Sequence, residues 1–227
     1  MRFSIIVPVL NEEVVLESQL ACLMKQCAHL DYELLIVDGG SSDRTVAIAE
    51  QYGSVIHSAR GRATQMNTGA AVANGDVFIF LHADTQLPPQ AFQAIEYTLK
   101  SPHIVAGAFR VRFDCERWPY RCVSFFTNMR SRLGTIFTGD QAYFIRARSF
   151  QEIGGYPDQP LMEDLEIIKR LRARGQVVLL PLYVTTSARR HEKLGLLRSV
   201  LFMWYLRTLY ASGVSPARLQ QMYRDVR

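Results

Sequence analysis

The first hundred residues alternate between two hydrophobic periods. Phe3–Val9 is a short unbroken apolar run, the pattern of a strand buried on both faces. Over residues 14–26 the apolar positions (Val15, Leu16, Leu20, Leu23, Met24) recur at helical spacing. The alternation then repeats. Residues 32–37 read as a buried strand, and 43–51 as a helix capped by Ser42 or Asp43. Residues 55–58 read as a weak strand and 62–73 as a helix rich in small residues. Residues 77–81 read as a strong strand, and 89–100 as a helix opened by proline. Such an order predicts an α/β fold, a Rossmann-like, mostly parallel sheet flanked by helices. The second half is less regular: strands at 105–113, 142–145 and 177–182, and helices at 118–132 and 163–174. One long apolar helix at 194–210 and a last helical piece at 216–224 follow. No internal repeat or linker-like stretch interrupts the chain. The expected division is a catalytic-sized domain over 1–190 and a helical tail over 191–227.

Length and composition narrow the class. A chain of 227 residues can bury a full core, and 48% hydrophobic with 21% charged residues excludes a disordered or low-complexity protein. The net charge of +5 is uneven. Residues 1–185 hold 18 basic and 19 acidic side chains, a balance of −1, whereas 186–227 hold 8 and 2, a balance of +6. A neutral body with a basic, apolar tail points to an anionic partner such as a membrane surface or phosphates, not to nucleic acid. The tail suits packing on the domain, on a second subunit in a homo-oligomer, or on a membrane. Cys22, Cys27, Cys115 and Cys122 have spacings unlike structural zinc sites and read as buried thiols in a reducing compartment. The N-terminal apolar run is too short for a signal peptide, and no stretch of about 20 apolar residues is present. These features predict a cytoplasmic protein, with the inner face of the membrane as a peripheral location.

In an open parallel sheet, ligands bind beyond the carboxyl ends of the strands. Three predicted strands end there in polar, acidic clusters: Asn11-Glu12-Glu13, Asp38-Gly39-Gly40-Ser41-Ser42-Asp43, and His82-Ala83-Asp84-Thr85. Acids gathered at one edge repel unless a cation joins them, which suggests Mg²⁺ or Mn²⁺ held by few carboxylates and by phosphate oxygens. Asp84, after the most hydrophobic strand, is the candidate ligand. Asp38 either accepts hydrogen bonds from a base or ribose, or caps the Gly39-Gly40 bend.

The run Pro8-Val9-Leu10-Asn11-Glu12-Glu13, the Asp38 cluster and His82-Ala83-Asp84 together resemble the family 2 glycosyltransferases of GT-A fold. So do Arg62-x4-Asn67-Thr68-Gly69-Ala70, Gly75-Asp76, Gly139-Asp140-Gln141 and Met162-Glu163-Asp164. The match runs in order from residue 3 to about 190, and the compact length resembles a small bacterial subgroup. The resemblance implies an inverting transfer from a nucleotide-diphosphate sugar, UDP-linked, to a hydroxyl acceptor, lipid-linked if the tail meets a membrane. It implicates Pro8, Asn11 and Glu12 in nucleotide contact, Asp38 at uracil or ribose, Arg62 and Asn67 in the donor segment, and Asp84 at the metal. Asp164, with Glu163 beside it, takes the place of the general base, and Asp140 that of a wall of the acceptor pocket. His82 stands where the family usually has an aspartate, so it adds no negative charge but can still hydrogen-bond ribose or phosphate. Arg190 or His191 replaces that lost charge at the diphosphate, and Arg60 and Arg62 flank Gly61 where a diphosphate would meet a helix N-terminus.

Two other classes compete. A dinucleotide oxidoreductase needs a glycine-rich turn after the first strand, and residues 8–13 contain no glycine. A non-catalytic sugar-nucleotide sensor or membrane scaffold would keep the donor loops and need no base at Asp164.

Overall fold

The computed structural model describes residues 1–134 and 136–225, the side chains of Arg190, Lys193, Leu194, Arg224 and Asp225 excepted. Its first half is a parallel sheet. Strands β1 (Phe3–Val9), β2 (Tyr32–Asp38), β3 (Ser54–His57) and β4 (Val77–Phe80) are joined through α1 (Glu13–Cys27), α2 (Thr45–Ala49) and α3 (Arg62–Val72). The second half adds β5 (Thr85–Gln86), α4 (Ala91–Thr98), β6 (Ile104–Phe113), α5 (Trp118–Gly134), a 3₁₀ turn at Gly139–Gln141 and β7 (Tyr143–Arg146). It continues with α6 (Ala147–Glu152), α7 (Glu163–Arg172), β8 (Gln176–Thr186), α8 (Arg189–Leu194), α9 (Leu196–Ala211) and α10 (Pro216–Asp225).

The eight strands form one sheet in the order β3-β2-β1-β4-β7-β6-β8-β5. β7 runs antiparallel to both β4 and β6, so the sheet is parallel in its first half and mixed in its second. Alternate residues of β1 enter opposite cores, as the period of a strand requires. Phe3, Ile5, Val7 and Val9 pack with α1 and α4, whereas Ile6 packs with Val37, Phe80 and the residues of α3, α6 and α7. α3 lies close to the sheet because Gly69 has no side chain. A Cβ there would stand 2.6 Å from Ile6 Cγ2 and 2.9 Å from Val37 Cγ2.

Register fixes where the loops emerge. Val9 pairs with Asp38, and Ile6 with Phe80, so β1, β2 and β4 all release their chains at one edge of the sheet. That edge carries the three acidic clusters.

The tail contains the long apolar helix expected over 194–210, as α9, preceded by the short α8. Gly195 adopts a left-handed φ of +80° and separates α8 from α9. α9 and α10 then bury Leu206 and Leu219 against Met162, with Leu161 and Leu165 packed alongside. The tail therefore covers the start of α7. No helix among the described residues is long and apolar enough to cross a membrane.

Candidate active site

The loops after β1 and β2 are tied to each other. Asn11, at a left-handed φ of +55°, accepts a hydrogen bond at Oδ1 from the Ser42 amide (2.8 Å) and donates its own amide to Ser41 Oγ (2.9 Å). The Glu12 amide donates to Thr45 Oγ1 (2.8 Å). Asp38 is buried, and its carboxylate accepts from the amides of Gly40 (3.0 Å) and Ser41 (3.1 Å), the capping geometry weighed from sequence. Beneath both loops, the buried Gln65 of α3 donates Nε2 to the carbonyls of Val9 (2.9 Å) and Val37 (2.8 Å). Two strand ends are thus held by one amide.

A cleft of about 220 Å³, open to solvent, lies at the same edge beside β4. It brings together Arg62, His82, Gly139, Glu163 and Asp164, five positions singled out from sequence, with Tyr143 and Tyr156. Met162 turns the chain through a left-handed φ of +67° and starts α7, so that Glu163 and Asp164 fall in its first turn. Asp164 Oδ2 accepts from the Gly139 amide (3.2 Å), and Oδ1 from the Leu165 amide (2.9 Å). The Glu163 side chain is almost fully buried, with Arg62 Nη1 3.9 Å from Oε1. Burial, and then the neighbouring Asp164, push the Glu163 carboxyl up to about 7, against the pull of Arg62. Burial likewise raises Asp164 although Arg207, Arg62 and its two amide donors favour its charge. Enclosure works against the charge on Arg62, yet Glu163, Tyr223, Asp164 and Asp84 together hold its pKa above the ordinary value. Burial first, and the adjacent carboxylates after it, keep the phenols of Tyr143 and Tyr156 protonated well beyond their ordinary range.

Other predicted positions have structural partners. Asn67 grips the backbone of Tyr156 from both sides: Nδ2 donates to its carbonyl and Oδ1 accepts from its amide, each at 2.9 Å. It shapes the cleft wall without lining the cleft. Gly139 passes so close to the His82 ring that a Cβ there would sit 2.8 Å from Nε2. Pro8 lies in β1, paired with Val37. Asp38 stays within its own loop, two strands from β4, and does not line this cleft. Asp140 is partly buried, and its Oδ1 has no hydrogen-bond partner in the protein. Arg60 is exposed. The side chain of Arg190 lies outside the described residues. Its neighbour Arg189 bonds Glu12 Oε2 at 2.7 Å, so the segment after β8 meets the first loop. His191 Nδ1 is 2.6 Å from Ser199 Oγ, and its ring stands edge-on to Phe113.

No cluster of three or more His, Cys, Asp or Glu side chains among the described residues is arranged to hold a metal ion. Asp84 is a single, partly buried carboxylate, with Thr85 Oγ1 3.4 Å from Oδ1. One carboxylate fits Mg²⁺ or Mn²⁺ that shares phosphate oxygens, and does not fit a cation caged by protein alone.

Four residues of this region were not singled out from sequence: Tyr143, Tyr156, Arg130 and Arg207. Tyr143 sits in a short apolar strand that reads as ordinary core, and Tyr156 in a Gly- and Pro-rich turn. Arg130 is one of three arginines on α5 and Arg207 one of two on α9, so charge alone did not single them out. Burial of Arg130, together with repulsion from Arg207, pushes its pKa down to about 10, while Asp140, Asp164 and Tyr143 oppose the shift.

The comparisons with known proteins agree with this geometry. The profile of Glycosyl transferase family 2 matches residues 4–154. The undecaprenyl-phosphate 4-deoxy-4-formamido-L-arabinose transferase of Proteus mirabilis (strain HI4320) is 31% identical over 120 residues, 48% of this chain. The dolichol-phosphate mannosyltransferase of Pyrococcus furiosus is 32% identical over 129 residues, 53% of this chain. The matched region spans only 37% of either relative. Among solved structures, a mannosyltransferase from Pyrobaculum calidifontis in complex with GDP-Man and Mn²⁺ superposes with a TM-score of 0.68. It is 17% identical, and the match covers 95% of this chain and 66% of that one. Residues 1–349 of TarS from S. aureus superpose with a TM-score of 0.67 at 18% identity, covering 83% and 61%. The fold is the GT-A type that these glycosyltransferases share.

Proposed function

The chain belongs to glycosyl transferase family 2 and is a glycosyltransferase, and from that premise we propose that it moves a sugar, with inversion, from a UDP-linked donor to an acceptor hydroxyl. The carrying observation is the Glu163–Asp164 pair, Glu163 buried and Asp164 half-buried, facing Arg62 in the cleft at the carboxyl edge of the sheet.

In this reading the tied loops of Asn11, Glu12 and Asp38 receive the nucleoside, and the diphosphate lies toward Arg62 and Asp84. Arg62 offers a planar fork of donors to phosphate oxygens. Asp84 would hold a divalent cation, Mg²⁺ or Mn²⁺, which would supply positive charge to a departing diphosphate. Asp164 takes the acceptor proton on the face opposite the leaving group. Burial raises its pKa above the ordinary aspartate value, which makes it a better proton acceptor than an exposed aspartate. Glu163 shares the site and, when protonated, leaves a single negative charge on the pair. The protonated Tyr143 and Tyr156 hydroxyls, unpartnered in the protein, are free to donate to sugar hydroxyls.

The acceptor side also carries features of a membrane surface. α5 exposes Phe125, Phe126 and Leu133, and α9 exposes Leu197, Leu201 and Trp204. The two helices touch, and exposed Arg121, Arg132 and Arg198 lie on the same helices. Apolar stripes beside basic side chains suit an anionic bilayer. The two relatives named for undecaprenyl-phosphate and dolichol-phosphate support a lipid-linked acceptor.

The test is transfer or donor hydrolysis with UDP-sugars and GDP-Man in the presence of Mn²⁺, in wild type and Asp164→Asn. We expect turnover to fall by about 10²-fold or more while the nucleotide sugar still raises the melting temperature of the variant. Undiminished turnover in Asp164→Asn would remove the base from this mechanism.

A further inference from the structure

Buried polar atoms are nearly always hydrogen-bonded, so a group of exceptions marks a place where something else belongs. Eight buried side-chain atoms among the described residues lack a hydrogen-bond partner in the protein, and six surround the Glu163–Asp164 pair. They are Nε and Nη2 of Arg130, Nε of Arg207, Oδ1 of Asp140, and the hydroxyls of Tyr143 and Tyr156.

The two arginines are brought there by separate elements. Ser131, next to Arg130 on α5, lies within 3.0 Å of Gln141 Oε1, which fixes that end of α5 against the 3₁₀ turn carrying Asp140. Leu206, next to Arg207 on α9, is buried against Met162, which sets α9 over the first turn of α7. Their guanidinium groups are close enough to repel, and both act electrostatically on Asp164. Asp140 and Asp164 offset part of this charge, yet three guanidinium nitrogens, Nε and Nη2 of Arg130 and Nε of Arg207, stay without a partner in the protein and leave room for the oxygens of a further anion. A guanidinium offers a fork of N–H donors that suits the oxygens of a phosphate.

We propose that Arg130 and Arg207 form an anion subsite beside Asp164 that seats a phosphate group of the acceptor. The proposal rests on the glycosyltransferase reading and adds the chemical class of the acceptor. The donor diphosphate lies on the other side of the carboxylate pair, toward Arg62 and Asp84. The phosphate has two sources, a soluble phosphomonoester or a lipid head group, and both present the same group to the same arginines.

The experiment titrates three probes into the full chain. They are inorganic phosphate, glycerol 3-phosphate, and vesicles of phosphatidylcholine with and without a tenth part of phosphatidic acid. Wild type is compared with Arg130→Gln, Arg207→Gln, the double variant and Arg207→Lys, by calorimetry and melting temperature. Anion binding at the donor side is common to all and cancels in the comparison. We expect the double variant to bind phosphate at least tenfold more weakly, with Arg207→Lys between it and wild type. Without ligand, the Gln variants lose both the repulsion between the arginines and the pull of Arg207 on Asp164, so the melting temperature of each unliganded form is the reference for its own titration. UDP or GDP with Mn²⁺ should stabilise all variants alike. A gain with glycerol 3-phosphate identifies a soluble acceptor, and a gain only with phosphatidic acid vesicles identifies a lipid one. Phosphate affinity unchanged within twofold in the double variant, or a large fall in melting temperature with no phosphate effect, overturns the subsite and makes the arginines structural. Failure of every nucleotide to stabilise any form is a different result and tells against the donor reading instead.

Discussion

Replacing Glu163 by Gln should stabilise the protein at alkaline pH and do little near pH 5. The Glu163 carboxyl is pushed up to about 7 from an ordinary 4.5 by burial and by Asp164. Its folded pKa thus lies above its unfolded one. Between these values the folded state holds a proton that the unfolded state has released, so stability falls as pH rises and levels off once both states are ionised. A difference of about 2.5 pH units corresponds to roughly 3 kcal/mol above pH 8, and to less than about 1 kcal/mol at pH 5. Gln keeps the shape and removes the ionisation, so it recovers that difference. Arg62, 3.9 Å away, already opposes the shift and is included in it. Urea unfolding of wild type and Glu163→Gln at pH 5 and pH 8.5 measures the gap directly. The variant's advantage should grow by about 2 kcal/mol between the two pH values. A constant gap, or a variant less stable at pH 8.5, would refute the claim that burial dominates over Arg62 at this position.

Other consequences are as specific. Gln65→Leu removes its bonds to the carbonyls of Val9 and Val37, the first of which keeps the Gly39 amide, and unfolding measurements should show a loss of about 1–3 kcal/mol. A helical glycine replaced by alanine usually gains up to about 1 kcal/mol; Gly69→Ala should instead lose about 1–3 kcal/mol, because the new methyl meets Ile6 and Val37. A melting temperature at or above wild type would disprove that packing argument. Leu201→Glu with Trp204→Glu should abolish sedimentation with anionic vesicles while leaving the melting temperature nearly unchanged, since both side chains are exposed; equal sedimentation would exclude this face as the membrane contact.

What the sequence disclosed follows from how local each signal is. β1, β2 and β4 announce themselves because strands buried on both faces need unbroken apolar runs, and their ends then place Asp38 and Asp84 at one edge. Glu163 and Asp164 were legible as a pair of acids opening a helix. The reversal of β7 was not, since a four-residue buried strand looks the same in either direction. Gly195 interrupts the apolar run of the tail, but its effect rests on one φ angle that hydrophobic period does not encode. The carboxylate of Asp38 illustrates a different limit. Capping and base recognition both call for an aspartate at the end of a strand, and coordinates show the capping bonds directly. Arg130 and Arg207 were hidden for a third reason, as each gains meaning only when α5 and α9 meet over residues more than 20 positions away.

The clasp between Asn67 and residue 156 separates position from identity. Both bonds end on main-chain atoms of Tyr156, so the anchor is indifferent to the side chain it carries. That side chain lines the candidate cleft and packs edge-on against Phe80 and Phe150. A different side chain of similar size at this position would alter what the cleft admits while the main-chain strut that holds its wall stays in place.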